Sequence, residues 1–121
     1  MELVRSTDAP TTEYPEADGV FLTHLAAGER LSVLGVEMEP GARVPEHSHH
    51  HEQLGYVFQG EQTFILADGE TVTAGPGDSY ALAAEEAHAA ENRGDERLVA
   101  VDVFSPPRET PTWVRDDDQQ S

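Results

Sequence analysis

The stretch Pro45-Glu46-His47-Ser48-His49-His50-His51-Glu52-Gln53 holds four of the chain's six histidines within five consecutive positions, and how it presents them decides how the rest of the chain is read. Val44 lies upstream and the apolar run Leu54–Phe58 downstream, so the segment reads as two short strands joined by a tight polar turn. Alternate side chains on a strand share a face, which points His47 and His49 the same way, about 7 Å apart. Neutral imidazole is the commonest protein ligand for transition metals, and two such rings can converge on one ion when further ligands arrive from neighbouring strands. The segment therefore predicts a metal site. His50 and His51 fall at the turn and read as solvated, with His51, of the same parity as His47 and His49, as the reserve candidate. Glu52 is the better ligand for a hard cation than Gln53, but strand parity faces it away from the histidines. His24, with no histidine near it in sequence, reads as structural.

Working outward, the chain is a series of short apolar runs separated by glycine turns. Strands are expected at 20–25, 31–38, 54–58, 63–66, 70–74, 79–82 and 98–104, with turns at Ala26–Glu29, Pro40-Gly41, Gln59–Glu61, Ala67–Gly69, Gly75–Asp78 and Asn92–Asp95. Ala83–Ala87 has a helical composition but is too short for a stable helix. Leu98–Phe104 is the clearest strand: Val99, Val101 and Val103 share one face, and Leu98, Ala100, Asp102 and Phe104 share the other. Pro106 and Pro107 end it. Eight or more short strands with no convincing helix call for an all-β antiparallel sandwich or jelly roll. Residues 1–18 read as an N-terminal arm or edge strand, 19–108 as the β-barrel, and 109–121 as an acidic tail, in which Trp113 is expected to cover the barrel or an interface.

With 121 residues, the length suits a single domain and the absence of cysteine removes disulfides, thiolate metal sites and cysteine nucleophiles. The formal net charge is −17, from 24 acids against seven cations, every one an arginine. Nucleic acid is an unfavourable partner for a surface without a basic footprint. The acids are scattered between apolar positions, which favours a folded, lysine-free acidic surface of the kind usual in salt-loving (halophilic) organisms over disorder. No run is apolar for long enough to span a bilayer and no apolar signal core follows Met1–Arg5, so the expectation is a cytoplasmic protein without a membrane partner.

Two spaced motifs carry a resemblance. Gly41, His47-Ser48-His49, Gln53 and Gly60 resemble the first cupin motif, with Gln53 where most members have Glu. Gly77, Ala83, His88 and Asn92 resemble the second, with Ala83 and Glu85 in place of the usual Pro and Gly. The resemblance implies a cupin-type double-stranded β-barrel holding one divalent ion (Ni, Zn, Mn, Fe or Cu) through His47, His49, Gln53 and His88. Three imidazoles and a neutral amide would leave the ion's charge uncompensated, which favours Lewis-acid work and anionic ligands over stabilising high-valent iron. The flanks, above all Val101-Asp-Val-Phe104-Ser-Pro-Pro-Arg108, resemble the KdgF family of pectin and alginate degradation. These small metal-binding cupins open the ring of 4,5-unsaturated uronates to the linear 4-deoxy-5-keto uronate. That resemblance implies a small anionic sugar as substrate, with Asp102, Phe104 and Arg108 lining the pocket. Homodimers are usual among small cupins.

The residues support such roles on their own terms. Asp102 interrupts a valine strand, so it belongs at a rim or poised in a pocket as a proton carrier. Arg108 suits a bidentate clamp on a carboxylate, and Phe104 offers a ring face. The competing reading pairs Asp102 with Arg108 as a surface ion pair. Gln62 and Tyr56 line the barrel by parity alone. Two alternatives to the isomerase stand: a metal-dependent dioxygenase acting on a small organic substrate, and a non-catalytic module that binds a sugar or metabolite.

Overall fold

In the computed structural model, which describes residues 1–108, every regular element is a strand. In chain order these are β1 (Thr11–Glu13), β2 (Val20–Ala27), β3 (Ser32–Met38), β4 (Arg43–His47), β5 (Glu52–Gln59), β6 (Gln62–Leu66), β7 (Thr71–Ala74), β8 (Ser79–Leu82), β9 (His88–Glu91) and β10 (Leu98–Ser105). They form a six-stranded sheet, β1-β2-β3-β10-β5-β8, facing a four-stranded sheet, β4-β9-β6-β7. All pairings are antiparallel. No helix among the described residues is long and apolar enough to cross a membrane. The readings of Trp113 and of the acidic tail lie outside the described residues.

Alternation writes the two faces of the large sheet. Along β10, Leu98, Ala100, Asp102 and Phe104 are buried while Val99, Val101 and Val103 are half-exposed. β3 repeats the pattern, with Ser32, Leu34, Val36 and Met38 turned inward. The apolar members of these two rows join Val20, Leu22 and Val57 in one cluster, whose removal from water is the main force closing the two sheets on each other. On the outer face of β5, Leu54, Tyr56 and Phe58 are exposed.

One segment departs from the sequence expectations. Residues 88–91 form a strand where the apolar pattern predicts none, because the alanines there are small side chains buried between β4 and β6. Ahead of it, Ala83–Ala87 is a turn, and Glu85 adopts a left-handed backbone (φ 68°) where the motif usually supplies glycine. Its amide donates to the His49 carbonyl at 2.8 Å, tying that turn to the histidine loop. Gly60 meets its turn's demands directly: its φ is +78°, and a Cβ there would sit 2.9 Å from the Arg97 carbonyl oxygen.

Candidate metal centre

His47 ends β4 and His88 opens β9, and the two face each other in register. Between Val44 and His47, three residue steps on β4 run beside only two on β9, from Ala90 to His88. Such an extra residue is a bulge, and it re-aims the strand beyond it. Val44 and His47, three positions apart, would face opposite sides of a regular strand, yet both line the barrel cavity. His49 lies past the strand end, in the loop before β5. Its convergence with His47 is therefore made by a bulge and a loop, not by the uninterrupted alternation expected from the sequence.

One ligand-capable atom from each of His47, His49 and His88 lies within 4.8 Å of the others. The rings stand 4.5 Å (His47–His88), 5.7 Å (His47–His49) and 5.9 Å (His49–His88) apart, centre to centre. The second nitrogens are held by backbone carbonyls. Nδ1 of His47 lies 2.9 Å from the Pro45 carbonyl, Nδ1 of His49 lies 3.1 Å from that of His51, and Nδ1 of His88 lies 3.0 Å from that of Glu86. A carbonyl oxygen can only accept, so each Nδ1 carries the proton; Nε2 of His47 and His88 turns into the cluster, while that of His49 faces the Gln53 amide oxygen, two lone-pair groups that a cation between them would satisfy. This is the outer-shell arrangement typical of histidine metal ligands. Burial also lowers the pKa of His49 and His88, with the nearby Arg108 charge adding to the effect on His49, and so favours the neutral, ligating form.

Gln53 stands beside the cluster. It is buried, opposite Phe104 on β10, and its Oε1 lies 3.2 Å from His49 Nε2. Glu52 is exposed. Three imidazole nitrogens with an amide oxygen beside them could hold a borderline divalent transition ion. His50 is exposed, and neither His51 nor His24 belongs to the cluster.

Asp102 sits one inward position along β10 from Phe104. It is 5% exposed, which excludes the surface ion pair, and among the described residues no ion pair joins it to Arg108. Its carboxylate accepts a hydrogen bond from the Tyr80 hydroxyl and another from the Gln53 amide. Desolvation pushes its pKa up to about 6, against the pull of those two bonds and of the Arg108 charge. Arg108 is half-buried: its backbone amide donates to Ser32 Oγ at 2.8 Å and its guanidinium lies 5.1 Å above the Phe104 ring. His47, His88, Gln53, Asp102, Phe104 and Arg108 all line one cavity, of about 50 Å³, whose inner wall is apolar. Gln62 also lines it, with its Oε1 buried and unpartnered, whereas Tyr56 points outward.

Sequence reasoning passes over Tyr80. The signal available is Gly55, a glycine inside a strand, which marks a place where something large crosses closely. Gly55 and Tyr80 are register partners on β5 and β8.

The two facing sheets and the motif-borne histidines are those of a cupin, and the chain belongs to this family: its cupin domain spans residues 35–104. It is a small cupin that resembles KdgF. The structure of KdgF from Halomonas sp. matches it with a TM-score of 0.78 at 25% identity, over 90% of this chain and 96% of that one. The polyketide cyclase RemF from Streptomyces resistomycificus (TM-score 0.76, 22% identity, 100% and 94% covered) and ectoine synthase from P. lautus (0.78, 22%, 98% and 86%) share the fold. Comparison with curated proteins returns no match.

Proposed function

We propose that this cupin is a divalent-metal-dependent isomerase that opens the ring of 4,5-unsaturated uronates to the linear 4-deoxy-5-keto uronate. The observation that carries the reading is one cavity wall on which a buried carboxylate, Asp102, and a half-buried cation, Arg108, stand beside the histidine cluster. The likeness to KdgF supports it.

The chemistry is proton relocation. The anomeric hydroxyl loses its proton, the bond between C1 and the ring oxygen breaks to leave an aldehyde at C1 and an enolate at C5, and the enolate takes a proton at C4 to become a ketone. Composition is unchanged, so no oxidant is required. A bound divalent ion would supply Lewis-acid polarisation of a substrate oxygen, held by His47, His49, His88 and Gln53. Asp102 moves the proton through its carboxylate, and a pKa near 6 suits both halves of that task. Arg108 takes the substrate carboxylate and Phe104 closes the pocket beneath the ring, excluding water. Asp102→Asn, isosteric but unable to take the proton, is expected to abolish turnover.

The test follows absorbance of lyase-generated unsaturated galacturonate or mannuronate, with and without chelator. Protein-dependent loss of the conjugated absorbance, abolished by the chelator, supports the assignment; no change with metal bound rejects it. The apolar inner wall, where Leu34, Val36 and Met38 line the cavity, favours a second reading as a dioxygenase of a small organic substrate. Oxygen consumption separates the two. Pairing of two copies is part of the proposal, through the outer face of β5, where exposed Leu54, Tyr56 and Phe58 lie together on one strand.

A further inference from the structure

A glutamine amide has an oxygen at one end and a nitrogen at the other, and only the oxygen has a lone pair to offer a cation. Which end of Gln53 faces the histidines is therefore a condition for four-fold ligation. Its Oε1 lies 3.2 Å from His49 Nε2, on the side where the imidazoles converge, and its amide hydrogen-bonds Asp102 on the other side. Asp102 is held in turn by the Tyr80 hydroxyl. Tyr80 is itself confined: its ring packs against Phe64 at 4.7 Å and crosses β5 over Gly55, where a Cβ would run into the ring. These contacts make a chain from the barrel wall to the metal pocket, Tyr80 to Asp102 to Gln53.

We infer that Tyr80 and Asp102 are positioning residues of the metal centre, fixing the Gln53 amide with its oxygen toward the three histidines, and that Asp102 is the reason position 53 carries an amide and not a carboxylate. A glutamate at that position would set two carboxylates side by side in a wall where both residues are buried, and Asp102 would lose one of its two donors. Like charges that close in a dry site cannot both stay ionised. Glutamine removes the repulsion and supplies the donor while keeping an oxygen for the ion. The centre's negative charge is thereby moved one residue back from the ligand set, onto Asp102.

This inference rests on the metal-binding part of the proposed function and is independent of the substrate. It is tested by titrating the purified full chain with Co(II), reading the visible d–d absorption and the calorimetric Kd. The variants are Asp102→Asn, Tyr80→Phe, Gln53→Glu and the double variant that combines Gln53→Glu with Asp102→Asn. Outer-shell changes typically weaken metal binding 10- to 100-fold. Asp102→Asn puts an oxygen and an NH2 where two donors converge, and is expected to weaken Co(II) about tenfold with an altered spectrum. Tyr80→Phe is expected to shift the spectrum in the same sense with a smaller loss of affinity. The double variant reverses the hydrogen bond, the new amide at position 102 donating to the new carboxylate at position 53. It is expected to bind within about threefold of wild type although each single change weakens binding. Unfolding midpoints of the metal-free proteins control for folding. If the two single effects simply add in the double variant, or if Tyr80→Phe leaves the Co(II) spectrum unmoved, the inference is overturned while the metal centre stands. If the wild type binds no Co(II), the metal-centre reading and this inference fall together.

Discussion

Gly55→Ala places a methyl group inside the Tyr80 ring. An ideal Cβ on Gly55 would overlap Cζ, Oη and Cε1 of Tyr80, and restoring ordinary carbon contact needs a retreat of about 1.5 Å. The ring is held from two sides. Phe64 packs against it, and its hydroxyl is engaged by Asp102. A retreat of that size breaks the hydrogen bond, and bonds to charged groups contribute about 1.5 to 3 kcal/mol. Overpacking a filled core adds about 1 to 3 kcal/mol. The expected loss is about 2.5 to 6 kcal/mol, a large fraction of the stability of a domain this size. Urea unfolding of the metal-free protein at neutral pH measures it. The decisive control repeats the substitution in a Tyr80→Leu background, where no ring crosses β5 and the added methyl should cost about 1 kcal/mol or less. A single-variant loss below about 1 kcal/mol, or a loss as large in the Tyr80→Leu background, would refute the claim that Gly55 exists to admit Tyr80.

The remaining expectations test other parts of the molecule. Asn92 is 1% exposed and donates to the Met38 and Glu96 carbonyls, both at 2.9 Å, while accepting from the Gly94 amide; Asn92→Asp turns a carboxylate on two carbonyls and should cost about 3 kcal/mol or more in thermal or urea unfolding. Glu85→Gly relieves the left-handed backbone at φ 68° and, after the entropy gained by the unfolded chain, should stabilise by about 0.5 to 1 kcal/mol in the same assay. Tyr56→Glu on the exposed face of β5 should convert a dimer to a monomer in light scattering, and an unchanged mass would remove that face as the contact. With a net charge of −17, kcat/KM for an anionic uronate should rise between about 0.1 M and 1 M salt, as the Debye length shrinks from about 10 Å to 3 Å; a falling rate would show that the positive charge around Arg108 governs approach.

Much of the fold was legible because period-two alternation survives wherever one face of a strand is buried, as along β3 and β10. The strands that escaped reading are those whose signal is not hydrophobic. β9 is His88-Ala-Ala-Glu91, buried by its neighbours and not by its own side-chain bulk, and such packing is invisible in a one-dimensional pattern. At the site, His47 and His49 were legible from histidine density and His88 only through its place in the second motif, but their geometry was not. A bulge leaves no mark in composition, so strand parity paired His47 with His49 on a continuous strand where the structure uses a bulge and a loop. The partner of Asp102 escaped for a related reason: Tyr80 is 22 positions away, and only the β5–β8 register brings it across.

The location of the polar residues in the barrel explains why one physical effect can serve both halves of the site. Desolvation opposes charge of either sign. On His49 and His88 it lowers the pKa and leaves the lone pairs that a cation needs; on Asp102 it raises the pKa and makes the carboxylate ready to take a proton. For the histidines, though, dryness alone is not enough, because a neutral imidazole still has two tautomers. The choice is made by the carbonyls of Pro45, His51 and Glu86. Pro45 lies in the bulged stretch of β4 and the other two lie in loops, whereas carbonyls within a regular ladder are already committed to neighbouring strands. The same three rings moved two positions deeper would be drier but would lose these acceptors. The centre therefore belongs at the end of the barrel, where strands give way to loops and the backbone still has oxygens to spare.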